Sequence, residues 1–376
     1  MTIRTPRIKP ALQGVALAAA AVTAMGSGAT ALAAPASPAA KAAASSLAPL
    51  AKVGPGWSVA EYTKGFNKHP AKTTLYAVSP QGKTFPFYTW PASFFGTKAF
   101  YLVDWSGDGR RVLVRNLFNK FEQISLATGK VINTFKLSAD AEPIGYTRPS
   151  GQNILASNGN TIARYNLSGH RTAVLSKNAA QAIDSPDGTS VILNAKSGLG
   201  VVSNAGGPVK LLHAPIAVFG CSPIRWWNAT TVLGDCNAKH GPGAPRLWLF
   251  PTNGGKVKAL TAQRGNKGPD LGDINAYKLT SGTYLQALGP CGVEFIATQS
   301  ANGSAHQVVI PGVHYASDLI VTGQGSNLLV QASSGCSAGA ALLLFNPHTK
   351  KVVSILHPSG KSYGVDLAVP FGRPLS

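Results

Sequence analysis

A short polar turn between two apolar runs recurs along this chain and constrains its fold more than any other feature. The sharpest copy is Ser185-Pro186-Asp187-Gly188, which lies within the stretch Ile183–Leu193. Proline presets φ before the reversal, and the Asp-Gly pair tolerates left-handed backbone angles. Each copy of the turn therefore predicts a β-hairpin of two short strands.

These turns divide the chain into repeats of roughly 40–50 residues, the period of a β-propeller with four strands in each blade. Seven turns join outer strands and six join inner strands, so the first repeat, which begins at the strand Trp57–Tyr62, lacks its innermost strand. The strand-like stretch Tyr363–Val369 is left over, and we expect it to fill that place and close the ring. The inner turns are predicted at 106–109, 148–151, 185–188, 226–229, 279–282 and 322–325, and the outer turns at 79–82, 127–129, 167–169, 204–207, 252–255, 301–303 and 346–349.

The predicted fold is therefore an all-β, seven-bladed propeller of four-stranded antiparallel blades, closed by the C-terminal strand, with six blades as the alternative. Two stretches, Asp104–Val114 and Asp184–Leu193, resemble the WD40-like repeat of the TolB type, in which a Ser-Pro-Asp-Gly turn links the two inner strands. The resemblance implies a propeller of the kind found in many secreted binding proteins and in some peptidases. A fold shared this widely leaves the function open.

The first 33 residues have the pattern of a secretory signal peptide. Arg4, Arg7 and Lys9 form a basic start, an apolar stretch follows, and Ala31-Leu32-Ala33 is a small-residue cleavage site. The apolar stretch is shorter than the roughly 20 residues that a membrane span needs, which argues against a retained membrane anchor. No membrane span is expected once the signal peptide is removed. Residues 34–54 predict a disordered linker rich in Ala, Pro and Ser, and residues 55–376 a single propeller domain. The predicted location is outside the cytoplasm, secreted or in the cell envelope.

Four cysteines suit an oxidising compartment and two disulfides. Aligned by repeat, Cys236, Cys291 and Cys336 end the second strands of consecutive blades, and Cys221 lies in the innermost strand of the blade of Cys236. A bond between Cys236 and Cys291 would leave the other two cysteines separated by a blade, beyond the Cα limit of about 7 Å. We therefore predict Cys221–Cys236 and Cys291–Cys336. The competing zinc site needs closely spaced cysteine pairs, which the sequence lacks, so no metal or cofactor is predicted.

Motifs for catalysis are missing from the sequence: it has no Gly-x-Ser-x-Gly, no His-Glu-x-x-His and no phosphate-binding glycine loop. A propeller hydrolase would need at least two carboxylates converging on its central channel. The channel candidates are Asp104, Asp184 and Asp366, which align on innermost strands. The alternative for Asp104 and Asp184 is that they hydrogen-bond backbone groups beside their own turns.

Extra loop length collects in the connections after the second and fourth strands, which lie on one face of the ring, and such insertions often indicate the binding face. The formal net charge of +20, or +17 without the three basic residues of the signal peptide, favours an anionic partner. The candidate ligand-binding residues in these connections are Lys64, Lys68, Lys72, Phe94, Phe95, Lys239, Arg264 and Lys267.

The predicted function is that of a secreted, non-enzymatic propeller that binds an envelope or extracellular protein, or an anionic polymer, through this face. The alternative is a hydrolase or lyase that uses the acids of the channel. Specific recognition of nucleic acid is disfavoured by the export signal and by the lack of a recognition element.

Overall fold

The chain consists of β-strands joined by turns. A computed structural model describes residues 50, 53–65, 72–91, 99–195, 198–215, 218–238, 245–263, 272–289, 293–313, 318–333, 339–358 and 363–371. These ranges contain 28 strands and no α-helix, which confirms the all-β class. Across the same ranges, no helix is long and apolar enough to cross a membrane.

The strands of the described ranges form six antiparallel sheets, five with four strands and one with eight. The first four-stranded sheet contains β1 (Ser58–Lys64), β2 (Lys72–Val78), β3 (Thr84–Pro91) and β28 (Val365–Pro370). The second contains β4 (Phe100–Trp105), β5 (Arg111–Asn116), β6 (Lys120–Ser125) and β7 (Val131–Lys136), and the third contains β8 (Glu142–Tyr146), β9 (Asn153–Asn158), β10 (Thr161–Asn166) and β11 (Arg171–Ser176). The other two contain β20 (Asp273–Leu279), β21 (Gly282–Leu288), β22 (Glu294–Gln299) and β23 (Ala305–Gln307), and β24 (Asp318–Gln324), β25 (Asn327–Ser333), β26 (Ala341–Phe345) and β27 (Val352–Leu356).

The eight-stranded sheet joins two successive meanders of four strands. They are β12 (Ala182–Asp184), β13 (Ser190–Ala195), β14 (Gly198–Ser203) and β15 (Lys210–His213), followed by β16 (Val218–Asn228), β17 (Thr231–Ala238), β18 (Arg246–Pro251) and β19 (Lys258–Ala259). Each consecutive set of four strands is called a unit below. The first unit is β28 with β1, β2 and β3, and the seventh is β24 to β27.

The inner turn that dominates the sequence forms through its own side chains. In Ser185–Gly188, the Ser185 hydroxyl donates to Asp187 Oδ1 at 2.6 Å and accepts the Ser190 N–H at 3.0 Å, which joins the two strand ends. Gly188 has a φ of 71°, a left-handed angle that favours glycine. The turn 106–109 repeats this pattern, since the Ser106 hydroxyl donates to Asp108 at 2.6 Å and accepts the Arg111 N–H at 2.9 Å.

Neighbouring inner turns approach each other closely enough to require glycine. A Cβ atom on Gly188 would lie 1.8 Å from the carbonyl oxygen of Arg148, and one on Gly107 would lie 1.9 Å from that of Pro149. The turns of the second and fourth units therefore contact the turn of the third, and any larger residue at these two positions would force the units apart.

The C-terminal strand completes the first unit, as the turn count predicts. β28 pairs antiparallel with β1, and Val59 lies opposite Val369. The Phe371 N–H also donates to the Trp57 carbonyl at 2.8 Å, and the Thr63 N–H donates to the Gly364 carbonyl at 2.8 Å. The expected strand 363–369 is observed as Val365–Pro370.

The expectation of seven separate blades needs a correction, because only five four-stranded sheets are separate. Ala195 at the end of β13 pairs with Cys221 in β16, and this single residue pair fuses the fourth and fifth units into one sheet. The short strand β12 pairs with only three residues of β13, so the end of β13 remains available to pair with β16.

Buried apolar side chains lie between successive units. The described residues form seven such clusters, and each combines side chains of one unit with those of the next. One cluster contains Trp90 of β3 and Trp105 of β4, together with Leu50 and Val53 from the segment predicted as a linker. Another joins Leu342 of the seventh unit to Ala60 of the first. Antiparallel sheets in this cyclic order form a β-propeller.

The predicted bond Cys221–Cys236 is confirmed. It joins β16 to β17 with a Cα–Cα distance of 4.1 Å, and both cysteines are buried. The partners of the second predicted bond, Cys291 and Cys336, lie outside the described residues.

Candidate functional site

The innermost strands enclose a central cavity of about 340 Å³. Arg148 and Pro186 belong to inner turns, and Asp184 and Pro370 end their strands, so the cavity lies at the end of the channel that the inner turns surround. Apolar side chains form most of its wall. The lining residues are Val103, Tyr146, Arg148, Ile183, Asp184, Pro186, Ile224, Arg225, Trp226, Thr322, Leu367, Ala368, Val369 and Pro370.

Asp104 is fully buried between the second and third units. Its Oδ2 accepts the Tyr146 N–H at 2.8 Å, and both of its carboxylate oxygens lie 3.3 Å from Nη2 of Arg148. Arg148 in turn donates to the Trp105 carbonyl at 2.8 Å. These contacts are charge-assisted, and they place Asp104 at a joint between units rather than among the residues that line the cavity.

Asp184 does line the cavity, and it also connects units. Its Oδ2 accepts the backbone N–H of Arg148 in the third unit, and its carbonyl accepts the Trp226 indole N–H at 2.9 Å from the fifth. Asp104 and Asp184 therefore accept backbone hydrogen bonds, as the alternative prediction states. The donors, however, lie in the neighbouring unit and not in their own turns.

Asp366 lies in the half of β28 farther from the inner turns, beside a glutamate that sequence reasoning missed. Thr63 donates to Asp366 Oδ2 at 2.5 Å. Glu61 is 3% exposed, and its Oε2 accepts the Leu102 N–H of the second unit at 2.6 Å. Burial raises the pKa of Glu61 to about 8, the Leu102 hydrogen bond opposes this change, and the negative charge of Asp366 adds to it.

Desolvation likewise raises the pKa of Asp366, against the effect of the Thr63 hydrogen bond. Glu61 and Asp366 are thus neighbouring acids, and burial raises the pKa of both. A glutamate inside the apolar strand 57–62 was the available sequence signal. Within the described ranges, no three His, Cys, Asp or Glu side chains come together as a metal site would require.

Arg225 is the second cation on the cavity wall. Its guanidinium carbon lies 4.3 Å from the ring centroid of Tyr277 in the sixth unit, a cation–π contact. Its Nε is buried and has no hydrogen-bond partner among the described residues. Burial lowers the pKa of this guanidinium, although an arginine side chain remains protonated in proteins.

The structure brings together two of the predicted ligand-binding residues. Lys64 ends β1 and lies directly opposite Lys72, which begins β2, and both residues are exposed. Like charges at this spacing repel each other but add to the field felt by an anion. The other candidates lie outside the described residues; they are Lys68, Phe94, Phe95, Lys239, Arg264 and Lys267.

A second exposed feature on this face was also missed. Leu117 and Phe118, 59% and 60% exposed, form the turn between β5 and β6. This connection follows the second strand of its unit, as the connection after Lys64 does, so both lie on the same face of the ring. The signal available in the sequence was an apolar pair between two asparagines.

The two asparagines hold this turn in place. Asn116 Oδ1 accepts the N–H groups of Phe118 at 3.0 Å and Lys120 at 2.9 Å. Asn119 has a φ of 53°, and its side-chain amide donates to the Ala139 carbonyl at 2.6 Å. The apolar pair is therefore fixed by side-chain hydrogen bonds and still faces solvent.

A groove of about 630 Å³ lies beside the pair, between the second and third units. An ion pair between Arg115 and Glu142, 2.5 Å long, crosses from one unit to the other. The groove is lined by Tyr101, Leu102, Arg115, Asn116, Leu117, Phe118, Asn119, Ala139 and Glu142.

Comparisons with known proteins bear on the fold. No protein-family profile matches the sequence, and no curated protein resembles it significantly. A structure from a study of two prolyl endopeptidases superposes with a TM-score of 0.55 and 13% identity, over 88% of this chain and 52% of that one. The chain has a β-propeller fold. Dihydro-heme d1 dehydrogenase NirN, solved in complex with DHE, superposes with a TM-score of 0.53 and 12% identity, over 86% of this chain and 78% of its own. This propeller spans about half the length of the prolyl endopeptidase, and identities this low indicate shared architecture alone.

Proposed function

We propose that this chain is a secreted, seven-bladed propeller that binds an extracellular or envelope partner and catalyses no reaction. Each unit is one blade on this proposal, and the fourth and fifth share one residue pair. Their separate apolar clusters with both neighbours support this count. The matching hydrogen bonds of Ser106 and Ser185 support a repeat of the TolB type.

Export is proposed from the signal pattern of residues 1–33. A disulfide between Cys221 and Cys236 supports the same compartment, because such bonds persist mainly where the environment is oxidising.

The observation that carries the binding proposal is the rigid, exposed pair Leu117 and Phe118 beside its groove. We call the side of the ring with the connections after the second and fourth strands the loop face. Adjacent large apolar side chains held in water by an ordered turn are typical of an interaction surface. The hydrogen bonds of Asn116 and Asn119 fix the pair before any partner arrives, so binding would lose little conformational entropy.

The charge on this face supports an anionic partner. Lys64 and Lys72 project from the first unit, next to the unit that holds the apolar pair. Exposed charges act over about 8–10 Å at ordinary ionic strength, so they would speed the encounter with an acidic partner and make it sensitive to salt. Apolar side chains together with lysines fit an acidic protein segment best.

The test uses the exported protein, immobilised to capture partners from an envelope extract, followed by measurement of Kd for the captured partner. Leu117→Ser with Phe118→Ser should weaken binding by about tenfold or more, as expected for the loss of buried anchors. The matched control is Val131→Ser with Ile132→Ser, an apolar pair 38% and 54% exposed on the outer strand of the same unit. Equal affinity of the two double variants would contradict the proposal.

A second pair of variants tests the charge. Lys64→Glu with Lys72→Glu should lower the association rate and its salt dependence, whereas Lys83→Glu with Lys130→Glu changes exposed lysines on the opposite turns. Equal effects of the two would assign the attraction to net charge alone. If the immobilised protein retains an anionic polymer and no protein, the partner is a polymer and not an acidic protein segment.

The neighbouring acids Glu61 and Asp366 favour one alternative, a hydrolase that uses these two carboxyl groups. A carboxyl group with its pKa raised to about 8 stays protonated at neutral pH and could serve as an acid beside a second carboxylate. Asp366→Asn would then abolish turnover of a substrate without loss of binding. Unchanged partner binding together with no detectable hydrolysis by either protein would favour the non-enzymatic proposal.

A further inference from the structure

Three charged side chains line the central cavity, and their contacts differ in a way that indicates a ligand. Arg148 pairs with buried Asp104 at 3.3 Å, and Asp184 accepts the backbone N–H of Arg148. Both groups therefore have a partner of opposite charge or a hydrogen-bond donor within the fold. They leave Arg225 as the third charged lining residue.

Arg225 contacts an aromatic ring, and no acidic side chain that the structure describes forms an ion pair with it. The Tyr277 ring covers one face of its guanidinium at 4.3 Å, and its Nε makes no hydrogen bond to any residue that the structure describes. A guanidinium has five N–H donors in a rigid fork that matches a carboxylate in two-pronged geometry. Arg225 is half-buried. A cation partly removed from water without an anion is costly for a fold, so its presence on a cavity wall suggests that a ligand supplies the anion.

The rest of the cavity limits what that ligand can be. Asp184 lines the same space and would repel a dianion such as phosphate, so a single negative charge fits better. Ile183, Ile224 and Trp226 provide apolar surface for the body of the molecule. A volume of about 340 Å³ lies at the small end of ligand pockets.

We propose that the central cavity binds a small organic monocarboxylate, with its carboxylate paired to Arg225 and its apolar part against Trp226. This site lies at the inner-turn end of the channel, away from the loop face. It is therefore independent of the proposed partner-binding surface, and either proposal could be refuted without affecting the other.

The test measures binding of a series of monocarboxylates, with 3-phenylpropanoate as the first probe, to the full exported protein by calorimetry and thermal unfolding. The neutral amide of the same acid is the matched ligand. We expect the acid to bind at least about 30-fold more tightly than the amide, because losing one partner of a buried charge pair costs about 2 kcal/mol or more. Equal binding of acid and amide, tighter binding of inorganic phosphate, or no binding by any member in the millimolar range would overturn the proposal.

Arg225→Met should abolish the preference for acid over amide, and Arg171→Met, on the exposed outer strand β11, should leave it unchanged. The unliganded Arg225→Met protein should unfold at the same temperature as the parent or higher, since it loses an uncompensated charge. A second measurement needs no variant: the acid, but not the amide, should slow modification of Arg225 by phenylglyoxal, followed by peptide mass spectrometry. Equal modification rates with both ligands would place the carboxylate elsewhere.

Discussion

Replacing Glu61 by Gln should remove a loss of stability that the parent protein suffers as the pH rises. Glu61 is 3% exposed, and burial raises its pKa from the ordinary value of 4.5 to about 8. The folded protein therefore keeps this proton over a range in which the unfolded chain has released it. A glutamine remains neutral at every pH and can still accept the Leu102 N–H through its amide oxygen.

The sign and size of the effect follow from proton linkage. Below about pH 4.5 both states hold the proton and the carboxyl group costs nothing. Between 4.5 and about 8 the folded state binds more protons than the unfolded state, so the free energy of unfolding falls as pH rises. Each tenfold difference in proton affinity is worth about 1.4 kcal/mol, which gives a total loss of roughly 4–5 kcal/mol above pH 8 as an upper bound.

Urea unfolding of the parent protein and of Glu61→Gln from pH 5 to 9 tests this reasoning. The two should have similar stability at pH 5, and the variant should be more stable by several kcal/mol at pH 9. Asp235, with a pKa raised to about 7 by burial, should contribute the same decline to both proteins. Glu142→Gln, whose carboxylate pairs with Arg115 on the surface, is the control. Parallel curves for the parent and Glu61→Gln would refute the buried, neutral state of Glu61.

Three further outcomes are expected from unfolding measurements. Truncation before Tyr363 should lower the melting temperature sharply, because β1 loses its pairing with β28, and an unchanged melt would remove the closing role of that strand. Replacing Cys221 and Cys236 by Ala should lower the free energy of unfolding by about 3 kcal/mol, the value for a loop of this length; no change on reduction of the parent protein would argue against the bond. Asp104→Asn should lower the free energy of unfolding by about 3–5 kcal/mol because it leaves Arg148 buried without its anion. The further change Arg148→Met should recover part of this loss. A small effect of Asp104→Asn would show that the ion pair contributes little to stability.

Sequence reasoning succeeded where the chemistry is local. The turns at 106–109 and 185–188 form where predicted because Ser, Asp and Gly within each turn supply its hydrogen bonds and its left-handed angle. It was less accurate at 226–229, where β16 continues to Asn228. Trp226 and Trp227 are buried in that strand, and packing outweighs the turn propensity of the residues that follow.

The candidate sites depend on contacts between units, which no local pattern encodes. Burial in the folded chain raises the pKa of Glu61, and the hydrogen bond from Leu102 that opposes this change has a sequence separation of 41. Arg225 is a candidate ligand-binding residue because it lies on a cavity wall against Tyr277 of the next unit, which the local sequence does not indicate. Asp104 and Asp184 were recognisable as backbone acceptors, but the units that they join were not.

Because β28 pairs with β1, we expect the first sheet to be the last part of the molecule to assemble. The bond from Thr63 to Asp366 spans 303 residues, so forming it requires closure of a loop nearly as long as the propeller itself. Contacts between residues so far apart in the sequence slow folding, because the conformational entropy of loop closure is lost before the strand pair stabilises the chain. The units in the middle of the chain can form from neighbouring strands as they emerge. The first unit must wait with one open edge, and the time spent in that state sets the period during which the chain is exposed to pairing with other chains.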